Sequence, residues 1–200
     1  PGKSALSVPY WVLNMDEFRN GVLGNDYFTV ELYNKGLWNE LFPTRPVDYL
    51  AEFGYGLTAN KWLLREFKGK IGIMGGAEKI ALIQELMKHK EYQEYLGLEK
   101  FEDYLSIPQK FACDNLAATE AMIAEQLKNA KSDIILMGIG HVKSGLSHRL
   151  KKYHNAVYLD VGSGIDAIAG CIEIERPFMG AWINHRIEGY DYSRIDYLNY

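Results

Sequence analysis

Two glycine turns carry the residue types best suited to chemistry. The first, Gly138 to Gly145, reads GIGHVKSG and sets His141, Lys143 and Ser144 beside Gly138 and Gly140. The second, Asp160 to Gly170, reads DVGSGIDAIAG and sets Asp160 and Asp166 around Gly162, Ser163 and Gly164. Glycine tolerates positive φ and lets a phosphate approach backbone N–H groups closely. An imidazole, an ammonium and a hydroxyl at a helix start can add to those N–H groups in holding a diphosphate. His and Lys are poor choices for a helix start on dipole grounds alone, which favours a ligand role over a plain strand-to-helix turn. An aspartate can take a proton from a substrate hydroxyl. The bland alternative for Asp166 is a dipole partner in the first turn of a helix. Asp160, at the end of a strand, favours function.

These turns need strands and helices to position them. The apolar run Ile134 to Met137 leads into the first turn, and helix-compatible spacing follows from Val142 to about Lys152. A second apolar run, Ala156 to Leu159, leads into the other turn. Strand, glycine turn, helix, strand is a βαβ unit. An earlier run, Ile71 to Met74, ends in another glycine turn, and Glu78 to His89 has an apolar helical face. Runs that are apolar throughout suit strands covered on both faces. The expected fold is α/β: a Rossmann-like, mainly parallel sheet flanked by helices, with a helical N-terminal part. Ligands bind at the carboxyl edge of such sheets.

Elsewhere the signals are weaker. A short helical turn is expected at Asp16 to Arg19, broken by Gly21 and Gly24. Tyr27 to Leu41 has helical spacing, and a helix beginning near Pro46 should end near Phe53. The glycine-rich stretch Glu52 to Trp62, EFGYGLTANKW, reads as a loop, either a functional one or a plain turn between helices. A helix over Asn60 to Phe67 should follow. Helical sequence continues to Leu105, and Ile107-Pro108 opens a short extended piece. Asp114 or Asn115 caps a helix over Leu116 to Ala130, and a last strand is expected over Cys171 to Glu175.

Composition narrows the function classes. The chain has 200 residues, 48% apolar and 24% charged, enough for one domain with a real core. A net charge of −4 argues against a nucleic-acid partner. The two cysteines, Cys113 and Cys171, lie in apolar contexts and read as buried thiols rather than a disulfide or zinc site. No run of apolar residues is long enough to span a membrane, and no signal peptide is visible, so the expected location is cytoplasmic. The Pro-Gly start reads as a tag scar or as a domain cut from a longer polypeptide, with other domains as neighbours in the second case.

The first turn is neither a dinucleotide loop nor a P-loop, lacking the third glycine spacing of one and the GK[ST] of the other. The five histidines form no zincin motif, and no G-x-S-x-G elbow is present. His89 and His154 read as surface residues. The second turn resembles the first motif of nucleoside methyltransferases, but that motif opens its fold, whereas only 30 residues follow Gly170 here.

The order of four segments, FGYGLTANKW, KGKIGIMGG, DIILMGIGHVKSG and YLDVGSGID, resembles the GT-D-type glycosyltransferases over about residues 27 to 185. The chain is also similar to the middle, rhamnose-adding domain of multidomain chlorella-virus enzymes that build and methylate glycans. The resemblance implies a nucleotide-sugar donor, with its diphosphate near Gly138 to Ser144 and its sugar near Asp160 to Asp166. The family's Asp-Gly-Glu motif, linked to a divalent metal, has no counterpart here. Asp16-Glu17 or Glu52 could substitute with manganese or magnesium, or Lys61, Lys143 or Arg176 could neutralise the leaving diphosphate without metal.

The reading is a glycosyltransferase moving a sugar, with rhamnose a candidate, from a UDP-linked donor to a glycan hydroxyl. Asp160 or Asp166 is the favoured base, with Glu52 and His141 next. The alternatives are another nucleotide- or S-adenosylmethionine-dependent transferase, or a non-catalytic nucleotide-binding domain.

Overall fold

The computed structural model describes residues 15–171 and 188–192. The main sheet of the described residues has four parallel strands, β3 (Ile71–Gly76), β4 (Tyr104–Ile107), β5 (Ile134–Gly138) and β6 (Val157–Asp160), in the order β4-β3-β5-β6. The three apolar runs expected as strands are therefore strands, and the fold is mixed α/β with helices on both faces.

The packing of side chains explains the layers. Ile71 and Ile73 of β3 and Leu136 of β5 point into one core. That core is closed by α4 (Trp62–Glu66), α5 (Ala77–Leu86), α6 (Lys90–Leu96) and α9 (Gly164–Ile168). Met74, Ile135 and Met137 point the other way, to a core closed by α7 (Leu116–Leu127) and α8 (Val142–Leu146). Alternation along each strand feeds both cores, as two covered faces require. From β3 the chain moves to β4 on one side, then crosses back to β5 on the other. The strand order thus reverses between β3 and β5, and a crevice at the carboxyl ends of those strands follows.

The N-terminal part is less regular than its sequence suggests. Helix α1 (Met15–Gly24) runs through Gly21 instead of breaking there, and ends at Gly24 as expected. A Cβ on Gly21 would lie 1.6 Å from the Ser144 carbonyl oxygen, and one on Gly24 would lie 2.9 Å from His148. Both glycines let α1 lie directly against α8 and the turn of 3-10 helix that follows it, Ser147–Lys152. The expected helix over Tyr27 to Leu41 is instead β1 (Thr29–Val30), a 3-10 turn and α2 (Lys35–Leu41). Strand β1 pairs in parallel with β2 (Tyr49–Leu50), which falls inside the helix expected from near Pro46 to Phe53. Phe18, Phe28, Trp38 and Phe42 cluster beneath them, with Trp38 stacked on Phe42 at 5.5 Å between centroids.

The stretch expected as a loop from Glu52 is helix α3 (Ala51–Ala59). Its glycines each cost a helix about 1 kcal/mol relative to alanine, which tertiary context can override. The real stop is Asn60-Lys61, where Lys61 takes φ 61° and Asn60 Oδ1 accepts from the Trp62 N–H at 2.8 Å. The expected helix up to Leu105 also ends early. Gly97, at φ 78°, closes α6, and β4 then runs up to Pro108, which has no N–H to continue a ladder. Asn115 caps α7 by accepting from the Ala118 N–H at 3.0 Å. The α-helix after the first glycine turn stops at Leu146, and 3-10 geometry continues to Lys152. The strand expected at Cys171 to Glu175 lies outside the described residues except for Cys171, which is not in a strand. Among the described residues no helix is long and apolar enough to cross a membrane.

Candidate functional site

At the reversal between β3 and β5 the strand ends open into a crevice of about 240 Å³. Its walls come from three segments: Gly76 and Lys79 after β3, Ile107 to Asp114 after β4, and Gly138 to Val142 after β5. Each segment is the carboxyl end of a parallel strand, the place such folds use for ligands. The volume is small beside the roughly 300–1,000 Å³ of a full ligand site, so it suits one part of a nucleotide.

Lys79 sets a buried charge in the wall. It sits in the first turn of α5, only 5% exposed, with Nζ 2.5 Å from Asp166 Oδ1. Asp166 is 8% exposed in α9. An ammonium in the first turn of a helix opposes the dipole, and the carboxylate facing it offsets that cost. Asp166 is thus engaged by Lys79 and is not among the residues lining the crevice.

His141 lies at the start of α8, half-buried in the crevice wall. Burial pushes its pKa below the ordinary histidine value, and Lys143 nearby lowers it further. The imidazole is therefore neutral at pH 7 and able to accept a proton. Gly140 of the same turn needs its glycine, since φ is 56°.

The first glycine turn divides in two. Gly138, Gly140 and His141 line the crevice, whereas Lys143 and Ser144 do not. The Ser144 backbone packs against Gly21 of α1. Lys143 Nζ pairs with Asp160 Oδ2 at 2.7 Å in a partly exposed bridge. Asp160 Oδ1 also accepts from the Gly162 N–H at 3.0 Å, which folds the second turn back on its own strand.

Gly162, Ser163 and Gly164 lie outside the crevice wall. The Gly164 N–H donates to the Val161 carbonyl at 2.7 Å and the Ile165 N–H to the Gly162 carbonyl at 3.3 Å. A Cβ on Gly138 would lie 2.5 Å from Ile165 Cγ1 and 2.6 Å from the Gly162 oxygen. That glycine lets the second turn and α9 seat on the end of β5, a packing role beside its place in the wall.

Glu52 lies on α3, where Oε1 accepts from the Leu32 N–H at 3.2 Å, and Oε2 has no hydrogen-bond partner among the described residues. It does not line the crevice. Lys61 Nζ sits 3.6 Å over the Tyr95 ring, and Arg176 lies outside the described residues. His89 is exposed, and His154 is half-buried against the Ser132 carbonyl at 2.7 Å. Among the described residues no group of three or more His, Cys, Asp or Glu side chains is placed to hold a metal ion, and neither Glu52 nor Asp16-Glu17 joins one.

The segment after β4 was not legible as a site. Gln109 Oε1 accepts from the Glu78 N–H at 3.0 Å and so ties this loop to the start of α5. Phe111 has φ 58° and is 67% exposed. A bulky residue in that conformation costs about 1–3 kcal/mol, and such strain gathers at ligand sites. Cys113 is free and half-exposed, and its thiol is pushed up by burial and then by Asp114, so it is protonated and a poor nucleophile. Lys79 alone carried a sequence signal, as a basic residue in a helix's first turn after a glycine-ended strand. No family model matches this chain, and neither a curated protein nor a solved structure is significantly similar to it.

Proposed function

We propose that the chain is a glycosyltransferase that takes a nucleoside-diphosphate sugar, with UDP the favoured nucleotide, in the crevice between β3 and β5. The observation that carries this reading is the convergence of Lys79 and His141 on the reversal point of a parallel sheet. It is supported by the order of glycine-turn segments that resembles GT-D-type enzymes.

His141 is the base in this reading. The acceptor hydroxyl gives its proton to the neutral imidazole as its oxygen bonds to the anomeric carbon of the donor. The bond from that carbon to the diphosphate oxygen breaks, and the nucleoside diphosphate leaves with the electron pair. Lys79, fixed by Asp166, stabilises the charge that develops on the leaving diphosphate. Asp160 keeps Lys143 and the second turn in place, and Asp166 acts through Lys79.

A methyl-donor reading loses weight on topology. The Asp160 to Gly164 turn belongs to β6, which pairs only with β5 among the described strands and stands away from the reversal point.

The test is a thermal-shift and calorimetric screen against UDP, GDP, dTDP, S-adenosylmethionine and NAD, since a ligand of the folded state raises its stability. Saturable binding of a nucleoside diphosphate, weakened in Lys79→Met, is expected. No binding of any nucleoside diphosphate at millimolar concentration rejects the proposal.

A further inference from the structure

We infer that Phe111 is the stacking platform for the heterocyclic base of the nucleotide, and that the loop after β4 selects the base. The inference rests on the nucleotide reading above and adds a subsite and the residues that form it.

Four observations converge on this loop. Phe111 lines the crevice yet is 67% exposed, and among the described residues no aromatic ring packs on it. A phenylalanine side chain left in water at a crevice mouth is an open planar surface. Its backbone is held at φ 58° by fixed neighbours: the Asp114 N–H donates to the Phe111 carbonyl at 3.0 Å, and Thr119 Oγ1 donates to the Ala112 carbonyl at 2.8 Å. The loop therefore presents the ring rather than letting it fold into the core. On either side, Gln109 and Asp114 also line the crevice. The Gln109 oxygen is engaged by the Glu78 N–H, and its NH2 group has no hydrogen-bond partner among the described residues.

A planar apolar face, an amide donor and a carboxylate acceptor within six residues match a heterocycle that carries carbonyl acceptors and ring N–H donors. A sugar offers hydroxyls but no planar π face. Lys79 lines the same crevice and supplies the cation for the diphosphate that follows the base.

The experiment is calorimetry of the whole chain with UDP, GDP, ADP and inorganic pyrophosphate, on the parent and on Phe111→Ala, Phe111→Tyr and Phe111→Gly. The parent should bind at least one nucleoside diphosphate more tightly than pyrophosphate. Phe111→Ala and Phe111→Gly should weaken that nucleotide roughly 10-fold or more, the scale of losing a stacked base, and leave pyrophosphate binding unchanged. Phe111→Tyr should bind like the parent. Phe111→Gly suits φ 58° and should fold with undiminished stability, which separates lost stacking from lost structure. Nucleotide affinity unchanged in Phe111→Ala overturns the stacking role while the nucleotide reading stands. A tyrosine variant as weak as the alanine one overturns it too, as does a parent that binds pyrophosphate and nucleotides equally well. Failure of the parent to bind any of the four overturns both readings.

Discussion

Lys79 Nζ and Asp166 Oδ1 meet at 2.5 Å, with both side chains buried. The contact joins the first turn of α5 to α9, two helices separated by most of the βαβ succession. It holds an ammonium in the crevice wall and gives Asp166 a structural task.

Breaking that pair should be costly. Asp166→Asn leaves a buried ammonium without its counter-charge, and a loss on the order of 3 kcal/mol is expected. A urea melt of Asp166→Asn, Lys79→Met and the double variant measures it. The double variant should lose much less than the sum of the singles, because no lone charge remains. A change below about 1 kcal/mol in Asp166→Asn would instead mean that the carboxylate serves only the helix dipole.

Asp160 should behave differently. Its bridge to Lys143 is more than a third exposed on both sides, so screening leaves it worth at most about 1 kcal/mol. Asp160→Asn is expected to fold normally and to keep most of its turnover. His141→Gln should fold and bind donor but turn over roughly 100-fold more slowly, the scale of losing a positioned base. Turnover measured for both variants with a UDP-sugar donor decides between them, and the opposite ranking returns the base to Asp160.

The depressed histidines set an acid limit. Burial lowers both His141 and His148 below the ordinary value of 6.5, with Lys143 adding to the first and Arg149 to the second. Well above pH 6.5 these groups are neutral in both folded and unfolded chains and leave stability unchanged. As pH falls below that value, the unfolded chain takes up protons first, so stability drops. Urea melts at pH 7.5 and 5.5 should show a smaller difference in the His141→Gln/His148→Gln variant than in the parent. An equal or larger difference would assign the acid limit to other groups.

Helix contact gives a contrasted pair of glycine variants. Gly21→Ala puts a methyl into the Ser144 backbone, which cannot swing aside, so α1 must lift from α8. A loss of about 1–3 kcal/mol is expected. Gly36→Ala in α2 meets nothing within 4 Å and should raise stability by about 0.5 kcal/mol through helix propensity. Thermal unfolding of the two variants checks the sign of each.

Much of the fold is written in local pattern. Ile71 to Met74 and Ile134 to Met137 are strands because continuous apolar sequence needs cover on both faces, whereas the run before Asp160 forms the less covered edge strand β6, with Val157 62% exposed. The glycine ends and the Asn115 cap are equally local. Sequence alone also singles out the two turns at the carboxyl edge. It cannot divide them into wall and support, because that depends on what packs behind each residue. Gly138 faces both the crevice and Ile165, and Ser144 faces Gly21 across more than a hundred residues of chain. Lys79 and Asp166 become a pair only when the β3–β5 reversal brings α5 and α9 together. Helix α3 and the short β1–β2 ladder depart from local pattern for a related reason. Glycine and aromatic residues there have weak local preference, so the neighbouring elements set their conformation.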